Sequence, residues 1–183
     1  GTLFALDGSK VPSNASKEWS GKISDRRRKK EKMEKRVTEV LSKQVEADRR
    51  GEEEGKAEEE SPLLDRAKQI ERLKKKAKRI GKFLEEYGAR LGRNGKEVKS
   101  NVTDNESATM MTSHGTIQGY NGQALVDSQN QVIVHGEAFG ESQDLHLIPP
   151  VLDGAKENLR VIGCRDDYFA GKTLTADSNY HSP

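Results

Sequence analysis

Thr173-Leu174-Thr175-Ala176-Asp177-Ser178-Asn179-Tyr180 and Leu3-Phe4-Ala5-Leu6-Asp7-Gly8 are the two stretches whose reading decides the fold. Each is a short apolar run of strand character that closes on one Asp and a turn signal. Asp-Gly and Asp-Ser-Asn are good turn formers, so either Asp alone is explained by a turn. Taken as a pair they suggest more. Two strands that each present a carboxylate at the C-terminal edge suit a two-metal phosphoryl-transfer site. There, carboxylates hold Mg²⁺, and ions about 3.5–4 Å apart clamp the attacking and leaving oxygens of a phosphodiester.

Composition places much of the chain outside any core. Of 183 residues, 32% are hydrophobic and 34% charged, too polar for one compact globule of this length. The net charge of +2 hides an asymmetry. Residues 17–99 hold 27 Lys and Arg against 18 Asp and Glu, whereas the remainder holds 5 against 12. A basic middle between acidic ends suggests a polyanion partner for the first and a cation for the second. Cys164 is the only cysteine, which excludes an internal disulfide and makes a reducing cytoplasm the expected compartment. No apolar run approaches the ~20 residues of a membrane span, and no small-molecule pocket motif stands out. The chain opens inside an apolar strand without Met, so a fragment of a longer protein is expected.

Outward from the first strand, Asp7-Gly8 is expected to turn the chain, and residues 13–21 read as a polar loop holding Trp19, the one tryptophan. The spacing of Met33, Val37, Val40, Leu41 and Val45 predicts a helix over 24–48 with Ser24 as its cap. Arg26, Arg27, Arg28, Lys29 and Lys30 lie near its start. Cations there oppose the helix dipole, so phosphate contact and a solvated face are the two explanations. Residues 49–61 read as a Gly/Glu-rich flexible loop. Ser61-Pro62 starts a second helix over 62–91. Leu63, Ile70, Ala77, Leu84 and Leu91 recur every seven residues, with Leu73, Ile80 and Tyr87 in the second seam position. The simplest product of two such helices is an antiparallel coiled-coil hairpin, with self-association as the alternative. Lys74, Lys75, Lys76, Lys78, Arg79 and Lys82 coat the second helix.

Residues 93–116 are expected to be irregular, with Asp104, Glu106 and His114 as weak metal candidates. A β-hairpin follows over 117–139, turning at Asp127-Ser128-Gln129-Asn130, with His135 among apolar neighbours as a structural residue. Leu145, Leu147, Ile148, Val151, Leu152, Ala155 and Leu159 predict a helix over 144–160, with Pro149-Pro150 in its first turn or kinking it. Lys172–Ala176 is the last strand. Without the charged helices the order is β-β-β-α-β, the first part of a ribonuclease H-like α/β fold. In that order, strands one and four lie side by side and Asp7 meets Asp177. The expected organisation is 1–21 and 100–183 as a partial ribonuclease H-like domain, with 22–99 as an inserted helical hairpin.

The blocks ALDGSKVPSNASKEWSG, VTDNESATMMTSHGTIQGYNGQALVDSQNQVIVHGEAFG, LIPPVLDGAKENL and TLTADSNYHS together resemble DDE-type transposases of bacterial insertion sequences with a charged insertion after the first strand. The resemblance implies Asp7 and Asp177 as the first two metal carboxylates, Mg²⁺ or Mn²⁺ as cofactor, and transposon-end DNA as partner. A homodimer is a further possibility. It implies hydrolysis and strand transfer in which water, then a DNA 3′-hydroxyl, attacks a phosphodiester in line. The family's third carboxylate, a Glu on a later helix, has no counterpart before Pro183, so these residues alone are expected to lack catalysis. The competing reading is a non-catalytic nucleic-acid-binding coiled-coil module, and a third is a self-associating structural hairpin.

Overall fold

The computed structural model describes residues 2–50 and 60–181. The chain is a mixed α/β protein that divides into two compact units, residues 1–20 with 103–183, and residues 21–102.

The first unit is built on a five-stranded mixed sheet. The short strands β2 (Ser20–Gly21) and β3 (Ser100–Asn101) pair with each other in a separate two-stranded sheet, and the five-stranded sheet holds β1 (Leu3–Pro12), β4 (Ala108–Thr112) and, as its long member, β5 (Gly115–Asp127). β6 (Val132–Phe139) and β7 (Thr173–Ala176) complete the set. Along one edge β5 pairs antiparallel with β1, from Phe4↔Asp127 to Pro12↔Gly119. Along the other it pairs with β4 near its start and β6 near its end. β7 adds to the far side of β1 in parallel, from Leu3↔Thr173 to Leu6↔Ala176. A parallel neighbour requires a crossover, and α3 (Ile148–Val161) supplies it.

Alternation explains which side of β1 is covered. Phe4 and Leu6 point to one face and are 2% and 3% exposed, while Asp7 lies on the opposite face and is exposed. α3 lies over the covered face. Val151, Ala155 and Leu159 recur every fourth residue and are all buried. Val151 and Ala155 join Phe4, Leu6, Leu125, Leu147 and Tyr180 in one core. Burying each large aliphatic side chain there contributes about 1.5–3 kcal/mol. Pro149 and Pro150 sit in the first turn of α3, where the missing N–H groups have no intrahelical partner to lose. His135 on β6 fastens the helix. Its Nδ1 accepts from Asn158 Nδ2 at 3.2 Å, and its ring fills the space that a Cβ at Gly154 would occupy.

Four expectations change in this unit. β1 does not turn at Asp7-Gly8. Backbone pairing with β5 carries it on to Pro12, and only the parallel ladder with β7 stops at Leu6. The segment 93–116 is not wholly irregular, because Ala108–Thr112 forms β4 and buries Met110. Residues 13–21 contain a 3₁₀ turn, Lys17–Trp19, in which Ser16 accepts from the Glu18 N–H at 3.3 Å. α3 begins at Ile148, so Leu145 and Leu147 precede the helix rather than lie in it.

The second unit is dominated by α1 (Ile23–Arg50) and α2 (Glu60–Glu86), which pack on one another. Val37, Ala77, Ile80 and Phe83 are buried. α1 begins one residue before Ser24, so Ser24 is not its cap, and the Asp25 carboxylate instead accepts from the Lys22 N–H at 3.1 Å. α2 ends at Glu86, and Gly88 and Gly92 follow it. Leu91 therefore leaves the heptad series and is exposed, bridging to Glu97. Tyr87, just past the helix end, is exposed too, although its ring still lies 5.1 Å from that of Phe83. Helix α2 includes Glu60 and Ser61, so it starts ahead of the Ser61-Pro62 boundary. The loop expected at 49–61 lies mostly outside the described residues, as does the Leu63 side chain.

Candidate functional site

Asp7 and Asp177 are brought to one edge of the sheet. Leu6 and Ala176 are partners in the parallel pair, and the next residue of each strand is an Asp. Neighbouring strands run about 4.8 Å apart, so the two backbones deliver their carboxylates to one neighbourhood. Both side chains are exposed. Asp7 Oδ1 accepts from the Gly8 N–H at 2.7 Å. Asp177 accepts from Ser178 Oγ and Asn179 Nδ2, each at 3.0 Å, and its backbone carbonyl accepts from the Tyr180 N–H at 3.1 Å. These bonds hold the Asp7 carboxylate against its own strand and the Asp177 carboxylate against the turn that follows it, and both face solvent.

Beneath this edge, on the covered side of the sheet, runs a polar network that sequence patterning did not reveal. Asp144, just before α3, accepts from Lys10 Nζ at 3.0 Å, Asn121 Nδ2 at 2.7 Å and Gln123 Nε2 at 3.2 Å. Gln123 Nε2 also donates to Asn121 Oδ1 at 2.9 Å. The remaining atom of that amide, Gln123 Oε1, accepts a short hydrogen bond from the Tyr180 hydroxyl. Asn121, Gln123 and Tyr180 are all buried. Burial works to raise the Asp144 carboxyl, but hydrogen bonds from Asn121, Lys10 and Gln123 and the Lys10 charge outweigh it and hold the group below its ordinary value. Burial first, then the charges of Asp144, Asp7 and Asp177, push the Tyr180 phenol up to about 12, against the opposing bond to Gln123. The phenol stays protonated at any ordinary pH and remains a donor.

On the opposite, open face an open groove of about 570 Å³ starts at Asp7 and runs over Gly122, Ala124, Gly136 and Ala138 beside Glu137. Small side chains there leave the backbone of the sheet accessible next to Asp7.

The other candidates have other places. Asp104 accepts from Tyr120 Oη at 2.6 Å and from the Ser107 N–H at 3.3 Å, so it fastens a loop. Asp127 caps its turn by accepting from the Gln129 N–H at 3.1 Å and Asn130 Nδ2 at 2.9 Å, which lower its pKa. Among the described residues, no group of three or more His, Cys, Asp or Glu side chains is arranged to hold a metal. Two carboxylates nevertheless fit a hard divalent ion, since Mg²⁺ is commonly held by one or two carboxylates with waters and phosphate oxygens completing its shell. In the basic series, Arg27, Arg28, Lys74, Lys75, Lys78, Arg79 and Lys82 are exposed, and Lys29, Lys30 and Lys76 are half-buried. Arg26 departs from the series. It is 3% exposed, its guanidinium lies against Gly21, and burial lowers its pKa.

Among the described residues, no helix is long and apolar enough to cross a membrane. No family model, curated protein or solved structure matches the chain.

Proposed function

We propose that this chain is part of a DDE-type insertion-sequence transposase, its sheet a partial ribonuclease H-like domain and its charged helices an inserted antiparallel coiled-coil hairpin. The observation that carries the reading is the adjacency of Asp7 and Asp177, each the next residue after the last pair, Leu6↔Ala176, of the parallel ladder between β1 and β7. The strand order β6-β5-β1-β7, with three antiparallel strands and a fourth added in parallel through α3, supports the fold assignment. For the hairpin, the Lys30 stem lies against Gly81, while Val37 shares a small groove with Lys74 and Ala77, so contacts advance along α1 as they retreat along α2.

In this reading Asp7 and Asp177 hold Mg²⁺ or Mn²⁺, which when bound lowers the pKa of a water or 3′-hydroxyl nucleophile and screens phosphate charge. The chain's own contribution is placement. The two strands fix the carboxylates at one edge, and the open groove beside Asp7 leaves room for a phosphodiester backbone to approach. Exposed cations on α1 and α2 give the second unit a sequence-independent attraction to phosphates. The described residues bring two acids together and not three, so cation binding without strand cleavage is the expected behaviour of these residues.

Mn²⁺ titration of the 183-residue chain, followed by the loss of the free-ion paramagnetic signal, tests the reading. Asp7→Asn and Asp177→Asn should each weaken binding strongly. Unchanged Mn²⁺ affinity in both would leave the alternative, a nucleic-acid-binding module without chemistry, which the exposed Arg27, Arg28, Lys74, Lys75, Lys78 and Lys82 already favour as a second reading.

A further inference from the structure

The network under the carboxylate edge links both Asp-bearing segments through one residue. Gln123 is the β5 partner of Gly8, the residue after Asp7. Its side-chain amide lies across Gly8 so closely that a Cβ there would collide with it. The same amide accepts from Tyr180, the last residue of the 3₁₀ turn Ser178–Tyr180 for which Asp177 is the N-cap. Gln123 therefore touches the segment just after one carboxylate and ties down the turn that begins at the other.

The orientation of that amide is not free. Asp144 is an acceptor only, so the Gln123 NH₂ must face it, and Lys10 keeps Asp144 ionised by pairing with it at 3.0 Å. Asn121 takes the second NH₂ hydrogen at 2.9 Å. With both donors committed, Gln123 Oε1 faces Tyr180. A buried, fully partnered chain of this kind holds one geometry, because any rearrangement leaves a buried polar group unsatisfied at about 1–3 kcal/mol.

We propose that Gln123 and Tyr180 are positioning residues that set the spacing of Asp7 and Asp177 for a divalent cation, with Lys10, Asp144 and Asn121 holding the Gln123 amide in the orientation this requires. The proposal rests on the reading of the two Asp residues as cation ligands. It assigns neither Gln123 nor Tyr180 to the cation itself, since both are buried on the far side of the sheet from Asp7.

The test uses the full 183-residue chain, Mn²⁺ alone as probe, and four variants, each also followed by thermal melting. Asp7→Asn measures the site. Tyr180→Phe keeps the ring in the core and removes only its hydroxyl, Gln123→Met keeps the length and removes the whole amide, the acceptor for Tyr180 together with the donors to Asp144 and Asn121, and the fourth is the Tyr180→Phe/Gln123→Met pair. Expected is a loss of Mn²⁺ affinity of about tenfold in each single variant, the usual effect of removing a group that orients a metal ligand. The double variant should be no weaker than Gln123→Met alone, because that variant already lacks the bond that Tyr180→Phe removes. A merely structural bond would lower the melting temperature and leave the affinity of the folded protein alone. Wild-type Mn²⁺ affinity in folded Tyr180→Phe overturns the proposal, and so does additive weakening in the double variant. If Gln123→Met fails to fold, Tyr180→Phe decides by itself. Loss of the cooperative melt in Tyr180→Phe assigns the bond to stability and overturns it too. Unaltered binding in Asp7→Asn sinks the cation-site reading instead, a result distinct from failure of the positioning role.

Discussion

Leu6 and Ala176 face one another across a parallel strand pair, and each is followed by an exposed Asp. The core-facing residues of the two strands, Phe4, Leu6 and Leu174, carry the stability, while the residues one step on face solvent. The core-facing side chains and the two exposed carboxylates are thus separated by the two-residue period of a strand.

Replacing the carboxylates should therefore leave the fold intact. Asp7→Asn and Asp177→Asn should change unfolding free energy by no more than about 0.5 kcal/mol, as for other exposed substitutions, while Mn²⁺ binding is lost. Urea denaturation beside Mn²⁺ titration checks this, and a large stability loss would show that the carboxylates are structural.

Phe4→Ala should do the opposite. Phe4 is 2% exposed and meets Phe169 edge-on at 5.2 Å and Tyr168 at 6.3 Å. Truncating a buried Phe costs about 3–5 kcal/mol, so the urea midpoint should fall steeply or the sheet should not form.

Gly8→Ala should be costly for its size. The new methyl meets the Gln123 amide, and β1 is held in register on both sides of Gly8, so the amide must move and release Tyr180. A loss of about 1–3 kcal/mol is expected from such overpacking. Gly88→Ala is the control, because a Cβ there has nothing within 4 Å. Equal melting temperatures for the two variants would contradict the packing described.

The two ends of the pH range should weaken the protein for different reasons. Tyr180 has a folded pKa of about 12, above its ordinary 10.0. The stability it contributes is complete below pH 10 and is lost as pH rises toward 12. Asp144 is held below its ordinary 3.8, so its contribution is present above that value and is lost as pH falls through its depressed folded pKa. Melting temperature against pH should fall at both ends, with the alkaline fall reduced in Tyr180→Phe and the acid fall reduced in Asp144→Asn.

If the helices contact DNA, Lys74→Glu, Lys78→Glu and Lys82→Glu, which follow one another at every fourth position, should together weaken binding to duplex DNA. They should also flatten its salt dependence, each lost phosphate contact reducing the slope of log K against log salt by about 0.9. Arg26→Gln should lower the melting temperature without changing that slope, because Arg26 is buried. Equal affinity and slope in the triple variant would exclude this face as a DNA contact.

The pattern of apolar residues was enough to place the α/β class, the paired strands of the hairpin, the α3 helix and the two long charged helices. Periodicity reports which face of an element is buried, and Phe4, Leu6, Val151, Ala155 and Leu159 obey it. The adjacency of Asp7 and Asp177 was expected only from reading the strand order as ribonuclease H-like, since a return through a helix makes a strand parallel without saying which neighbour it takes, and the Leu6↔Ala176 pairing supplies that neighbour. Element limits and polar contacts were less legible. Gly8 reads locally as a turn, yet pairing with Gln123 keeps it in the strand, since backbone hydrogen bonding across the sheet outweighs a two-residue preference. Phe83, outside the heptad seam, is buried beside Ile80, and Arg26, one of five consecutive cations, is buried where its neighbours are not. The Lys10, Asn121, Gln123, Asp144 and Tyr180 network left no local signal. Apart from Asn121 and Gln123, which share β5, its members lie on different segments, each unremarkable where it stands in the chain. Only the tertiary structure brings them together, because a hydrogen bond depends on separation in space, and alternation along one strand says nothing of what a distant strand or turn will place opposite.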